Sequence, residues 1–357
     1  MDTVLVTGAN GHLGYNLTQQ LVERGYRVRA GVRDFTSKTK TRDLVTLGAE
    51  ITHVDITRPE TLSAAMKDVQ GLFHVAAVYE TISRNPGRDV KQPTIVGTIN
   101  TLQAAHAAGV QKVVLTSSAT TVGNDASLAA PLDESRWNKD AIEPYVQAKT
   151  SAEQWAWEFA TRNHFNLVAI LPSAMIGPGF RRHTPTTRIF EELLRNRVPV
   201  VLPLGFSFVD VRDVATAHVL AYENPTAAGR YIASARFCEL AELFTLVSNV
   251  DHTVVIPTRR LPERLLPVVP LLDWIGHRFA GTPRAISCAF VKEYGHREAH
   301  FTSARAEREL GWMARDFSVS VRVHLAGLRR NYFPQGPHVR LPSPDWILCG
   351  KSYGNSA

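Results

Sequence analysis

The chain has 357 residues, 44% of them hydrophobic and 20% charged, a balance that excludes a disordered, collagen-like or coiled-coil protein. Its formal net charge of +7 comes from scattered basic pairs such as Arg181-Arg182, Arg259-Arg260 and Arg329-Arg330, not from a stripe interleaved with aromatics, so a small molecule is the expected partner and no nucleic acid. Cys238, Cys288 and Cys349 are too few and too far apart for a disulfide framework or a CxxC zinc site, and no metal is expected.

A strand is predicted at 3–7, after a Met1-Asp2 start that lacks the basic n-region of a signal peptide, and a helix at 13–24. Further strands are predicted at 27–32, 50–55, 71–75, 112–117 and 167–171, with helices at 60–66, 95–108 and 145–163. Strands alternating with helices imply an α/β fold, a doubly wound parallel sheet of the Rossmann type with right-handed crossovers. After residue 172 the prolines cluster and the alternation stops, although a last strand at 230–233 returns to the sheet. Residues 236–330 read as a smaller, mainly helical lobe over the carboxyl edge of the sheet. In that lobe the longest apolar stretch, 265–275, is broken by Pro267, Pro270 and Asp273. It is too short and too interrupted to span a bilayer, and most of its apolar side chains are expected in the core. A cytoplasmic protein without an integral membrane segment follows as the expectation.

Directly after the first strand comes Gly8-Ala9-Asn10-Gly11-His12-Leu13-Gly14, which opens the first helix. Glycines here permit a sharp reversal and let backbone N–H groups approach a pyrophosphate, while the last one lets the helix pack close to the strand. The strand–turn–helix context makes this a dinucleotide cradle rather than a plain turn. Asp34 has the spacing of an acid that binds the ribose diol of NAD. Arg33 and Lys40 instead suit a 2′-phosphate. The two cations favour NADP (NADPH), with NAD as the alternative. Asp55 is placed either for the adenine amine or as an N-cap of the next helix. Small residues Ala76 and Ala77 follow the fourth strand, where backbone must run along a cofactor; His74 before them reads as structural.

Tyr145 and Lys149 stand four residues apart at the start of a predicted helix, on one face, beyond a strand that ends in Thr116-Ser117-Ser118. A nearby ammonium and an oxidised nicotinamide should lower the Tyr145 pKa and make the phenol usable for proton transfer. Ser118 can donate to the substrate oxygen and hold it beside Tyr145.

These features occur with Pro93-Thr94-Ile95-Val96-Gly97-Thr98, with Tyr145-Val146-Gln147-Ala148-Lys149-Thr150-Ser151-Ala152-Glu153, with Leu171-Pro172-Ser173-Ala174-Met175-Ile176-Gly177-Pro178 and with Phe208-Val209-Asp210-Val211-Arg212-Asp213. Over roughly residues 3–330 the chain resembles an extended short-chain dehydrogenase/reductase. It most resembles the dihydroflavonol-reductase-like and 3β-hydroxysteroid-dehydrogenase-like branch. The resemblance implies Ser118, Tyr145 and Lys149 as the catalytic set. It implies cofactor contacts from Gly8, Gly11, His12, Leu13, Gly14, Arg33, Lys40, Asp55, Ile56, Ala76, Ala77, Tyr145, Lys149, Pro172 and Ser173. Ala148 departs from the serine common before the lysine but removes no proton-transfer group. Residues 1–171, with 208–233 returning, then form the dinucleotide-binding domain; 172–207 and 234–333 form the substrate lobe, and 334–357 an irregular tail. Look-alikes commonly form homodimers, which leaves that state open.

Relatives that epimerise or dehydrate nucleotide sugars usually carry Asn-Val-Tyr-Gly-Pro after the sixth strand, where this chain has Ala174-Met175-Ile176-Gly177-Pro178. Alanine offers no amide to a diphosphate sugar. The expected activity is therefore NAD(P)H-dependent reduction or oxidation of a bulky, lipophilic cyclic or aromatic carbonyl or alcohol, with Phe206 and Phe208 lining its pocket. A nucleotide-sugar epimerase or dehydratase is the alternative.

Overall fold

The structure, a computed structural model, describes residues 2–332 apart from 125–129, 181–183, 282–283 and 296–297. Its strands are β1 (Thr3–Thr7), β2 (Arg27–Val32), β3 (Glu50–His53), β4 (Gly71–His74), β5 (Lys112–Thr116), β6 (Leu167–Pro172), β7 (Ala174–Ile176), β8 (Gly205–Asp210), β9 (Gly229–Ala233) and β10 (Arg236–Glu239). Seven of them form one parallel sheet in the order β3-β2-β1-β4-β5-β6-β9. In β1, Val4 and Val6 enter one hydrophobic cluster and Leu5 the other, so the strand is buried on both faces. Such two-sided burial is why its sequence is an unbroken apolar run rather than an alternating one.

Helices α1 (His12–Glu23) and α2 (Lys38–Thr46) cover one face, and α3 (Pro59–Ala65), α4 (Gln92–Ala107) and α5 (Pro144–Asn163) the other. After α6 (Pro185–Leu194), α7 (Val211–Glu223) returns to pack beside α1. The remaining helices are α8 (Leu240–Val250), α9 (Val269–Ala280), α10 (Cys288–Tyr294), α11 (Ala304–Leu310), packed on β9, and α12 (Phe317–Tyr332), packed on α8.

β3 and β4 end short of residues 55 and 75, whose peptides find side-chain partners. Asp55 N–H donates to Thr61 Oγ1 at 3.0 Å and Val75 N–H to Thr7 Oγ1 at 3.1 Å. The periodicity gives no sign of α2, a polar segment with three threonines, nor of a second sheet of order β10-β8-β7 in the lobe. β7 is only three residues long, too short for a period to register.

Two expectations fail in the lobe. Of the apolar stretch at 265–275, Leu266 and Val269 are buried, but Leu265, Val268, Leu271, Leu272, Trp274 and Ile275 are 40–56% exposed. α9 is held at its start and through the Asp273–Arg284 ion pair (3.1 Å), which leaves most of its surface in solvent. Phe208 lines no pocket: it is wholly buried, packed on Phe190 and Phe317. Among the described residues no helix is long and apolar enough to cross a membrane.

Candidate active site

The strand order reverses between β1 and β4, and ligands of open α/β sheets bind beyond the carboxyl ends of strands at such a point. Gly8 has φ +68°, and a Cβ on it would stand 3.0 Å from the Ala76 Cα. Gly11 N–H closes the turn on Gly8 O at 2.9 Å. A Cβ on Gly14 would lie 2.2 Å from Gly8 O, so only glycine lets α1 start this close to β1. α1 has Gly11 as its N-cap and no side-chain cap, so its first-turn N–H groups, positive end of the helix, face outward toward any anion seated there. Leu13 is in the core, and His12 Nε2 bonds Pro178 O at 3.0 Å. Burial lowers His12 to about 4, so it is a neutral tether between α1 and the segment after β7.

At the ends of β2 and β3, Arg33 is exposed and Asp34 accepts from Thr36 Oγ1. The Lys40 side chain lies outside the described residues. Asp55 Oδ1 accepts from Thr57 N (3.0 Å) and Thr57 Oγ1 (2.7 Å). Burial pulls the Asp55 carboxyl up, but Thr57, then Arg33 and Arg58, hold it below its ordinary value. It is not the N-cap of α3; that position is Arg58. Ile56 packs under α4, where a Cβ on Gly97 would meet it at 2.4 Å. Ala76 borders Gly8, and Ala77 is exposed. Pro172 is buried at the end of β6, and Ser173 N–H donates to Ala233 O at 3.1 Å. Among the described residues the Ser173 hydroxyl is buried without a partner. An uncapped helix start, a cradle that any Cβ would fill and this orphaned hydroxyl together suit a dinucleotide.

The proton-transfer candidates converge. Ser118 lies close enough to the Tyr145 phenol to act on its ionisation, and Thr120 donates to Ser118 Oγ through its hydroxyl at 2.9 Å. Lys149 Nζ is buried and donates to Thr116 O at 2.8 Å, which brings the ammonium to the end of β5. Burial lowers Lys149 to about 8, against the pull of Glu153. The protein's own groups push Tyr145 upward. Burial raises it above its ordinary value, Tyr79 and Glu143 push the same way, and only Ser118 opposes. With Lys149 drawn to the strand end, the charges that act on the phenol are acidic ones.

Several contributors escape sequence reading. Tyr79 lays its ring against Tyr145 (centroids 4.8 Å) and bonds Thr186. Tyr294 packs on Phe206 and Phe290 at 5.7 and 4.8 Å. Glu143, directly before Pro144, caps α5 by accepting from Tyr145 N and Val146 N at 2.8 and 3.1 Å. Burial raises its carboxyl to about 7, with the charge of Glu293 adding. Its position before a helix-opening proline was the one available signal. Glu153, four residues after Lys149, pairs with Arg230 of β9 and accepts from Ser117 and Thr121.

A model of the NAD dependent epimerase/dehydratase family matches residues 4–233. Among curated proteins, the bifunctional dihydroflavonol 4-reductase/flavanone 4-reductase of Malus domestica is 34% identical over 75% of this chain and 82% of its own. The cinnamoyl-CoA reductase CAD2 of Medicago truncatula is 31% identical over 76% of this chain and 86% of its own. The crystal structure of gox2253 matches with a TM-score of 0.81 at 29% identity, covering 93% of this chain and 99% of that one. With the parallel sheet, the glycine cradle and this kinship in place, the chain belongs to the NAD dependent epimerase/dehydratase family, the extended short-chain dehydrogenase/reductases, and is an oxidoreductase of the dihydroflavonol-reductase-like kind.

Proposed function

We propose that this protein is a carbonyl reductase that takes NADPH in preference to NADH and acts on a bulky, lipophilic cyclic or aromatic ketone or aldehyde. The observation that carries the reading is that Tyr145 and Ser118 sit beside each other beyond the glycine turn, with the buried Lys149 ammonium four residues after Tyr145 and held at the end of β5. Gly8, Gly11 and Gly14 would hold the pyrophosphate with the free N–H groups of α1, Arg33 the 2′-phosphate, and Ser173 the nicotinamide end. The cofactor, when bound, supplies hydride to the carbonyl carbon. Tyr145, kept protonated by its burial, gives the carbonyl oxygen its proton. Ser118 donates to the same oxygen and fixes its position. Lys149, lowered to about 8 and held at the end of β5, would orient the cofactor and give up a proton near neutrality to the relay that serves the site. The rings of Tyr79, Phe206, Phe290 and Tyr294 support an aromatic substrate, as do the dihydroflavonol, flavanone and cinnamoyl names of the relatives.

The test is Tyr145→Phe, assayed over a panel of cyclic and aromatic ketones with NADPH oxidation as the readout. Turnover should fall by at least about 100-fold while NADPH affinity, read by fluorescence titration, stays within about threefold. Full turnover in that variant refutes the assignment. Turnover that consumes no added NADPH would speak for the epimerase or dehydratase chemistry of the wider family.

A further inference from the structure

We infer that Glu293, on α10 of the C-terminal lobe, is a positioning residue for Tyr145, clamping the start of the catalytic helix to the wall of the substrate cleft. The inference rests on the proposed role of Tyr145.

Glu293 is fully buried, and among the described residues it forms no ion pair. Its charge is balanced by N–H donors instead. Oε2 accepts from the backbone N–H of Ile142 at 2.6 Å and of Glu143 at 2.9 Å. Oε1 accepts from the side-chain amides of Asn138 and Asn124 at 3.3 and 3.4 Å, and the Asn124 amide also reaches the Glu293 carbonyl at 3.2 Å. One carboxylate therefore gathers two separate loops that approach α5.

Both loops lead to the reacting groups. Asn138 donates through its backbone N–H to Thr121 O at 2.7 Å and through its amide to Thr120 O at 3.1 Å, on the turn that follows Ser118. Glu143, whose peptide Glu293 holds, caps the N–H groups of Tyr145 and Val146. The chain of bonds runs from α10 through the Glu143 peptide to the residue that bears the phenol. On the same helix Phe290 and the adjoining Tyr294 face Phe206, so a substrate pressing on those rings bears on the element that sets Tyr145. A shift of about 1 Å in a reacting group can lower turnover by about 100-fold, which makes such a clamp matter for rate more than for affinity.

The experiment compares Glu293→Ala, Glu293→Gln and Tyr145→Phe on the aromatic ketone that the native protein turns over fastest. Glu293→Ala should lower kcat by about tenfold or more, with KM and the NADPH Kd each within about threefold. Glu293→Gln keeps an acceptor for the two backbone N–H groups and should regain most of the rate. If Glu293→Ala does not fold, Asn124→Ala removes two contacts from the outer side and should lower kcat severalfold with KM unchanged. Unaltered kcat in the variant that folds, or kcat, KM and Kd failing together, overturns the clamp. With Tyr145→Phe inactive, that result overturns the clamp alone; a fully active Tyr145→Phe overturns the reading beneath it.

Discussion

Glu153 of α5 and Arg230 of β9 meet at 2.7 Å, with side chains 1% and 8% exposed, and tie the helix that bears Tyr145 and Lys149 to the last strand of the main sheet. Arg230 also donates to the carbonyls of Glu134 (2.8 Å) and Arg136 (2.6 Å) and stacks over Trp137 at 3.9 Å. The pair is thus fully committed, and losing one member strands the other. Arg230→Ala should destabilise the protein by about 3–5 kcal/mol in urea unfolding, because Glu153 is left as an uncompensated buried charge. A double Glu153→Gln/Arg230→Met variant should lose less than the sum of the single changes. An Arg230→Ala loss below about 1 kcal/mol would contradict the burial of the pair.

Gly14→Ala places a methyl 2.2 Å from Gly8 O, far inside contact distance. Backbone must move to admit it, and what moves is the start of α1. NADPH affinity in a fluorescence titration should weaken by at least about tenfold, together with a lower Tm. Native affinity in this variant would mean that the phosphate cradle lies elsewhere.

Arg33 is exposed at the carboxyl end of β2, its charge acting on Asp55. Arg33→Ala should weaken NADPH at least about tenfold and NADH by no more than about threefold, since only NADPH carries the 2′-phosphate. Equal losses would remove the stated preference.

Burial lowers His74 and His324 to about 3 and His12 and His218 to about 4, so all four are neutral in the folded protein at pH 6. Their contribution is present above about pH 6.5 and lost as pH falls, because the unfolded chain binds the protons. Glu143 acts in the opposite sense. Raised to about 7, it holds a proton in the folded state that the unfolded chain has released above its own pKa near 4.5, so its share of stability falls as pH rises from about 4.5 to 7. Near pH 5.5 unfolding should take up about three protons net, a slope of about 4 kcal/mol per pH unit. Urea midpoints measured from pH 4.5 to 6.5 test this, and His218→Gln should reduce the uptake by about one proton. An unchanged slope in that variant would show that His218 is already protonated in the fold.

Local features carried far into this fold. The β1 apolar run, the glycines at 8, 11 and 14, and the Tyr145–Lys149 spacing each act within one turn or one strand, so neighbouring residues suffice to define them. Other features needed distant segments. Tyr79 meets Tyr145, and Glu293 meets Glu143, across long stretches of chain that no period connects. The apolar composition of α9 marked it for burial, but burial needs a partner surface, and the described fold supplies one only at its start.

The contrast is sharpest at the phenol. From the sequence alone came the identity of Tyr145, Lys149 and Ser118 as neighbours at one sheet edge, because strand ends and helix starts are read from local chemistry. Only the tertiary structure showed which of the protein's own groups bear on Tyr145, and that together they push it upward. That direction depends on how much water the fold excludes and on which acids it folds inward, and neither quantity resides in any short segment of the chain.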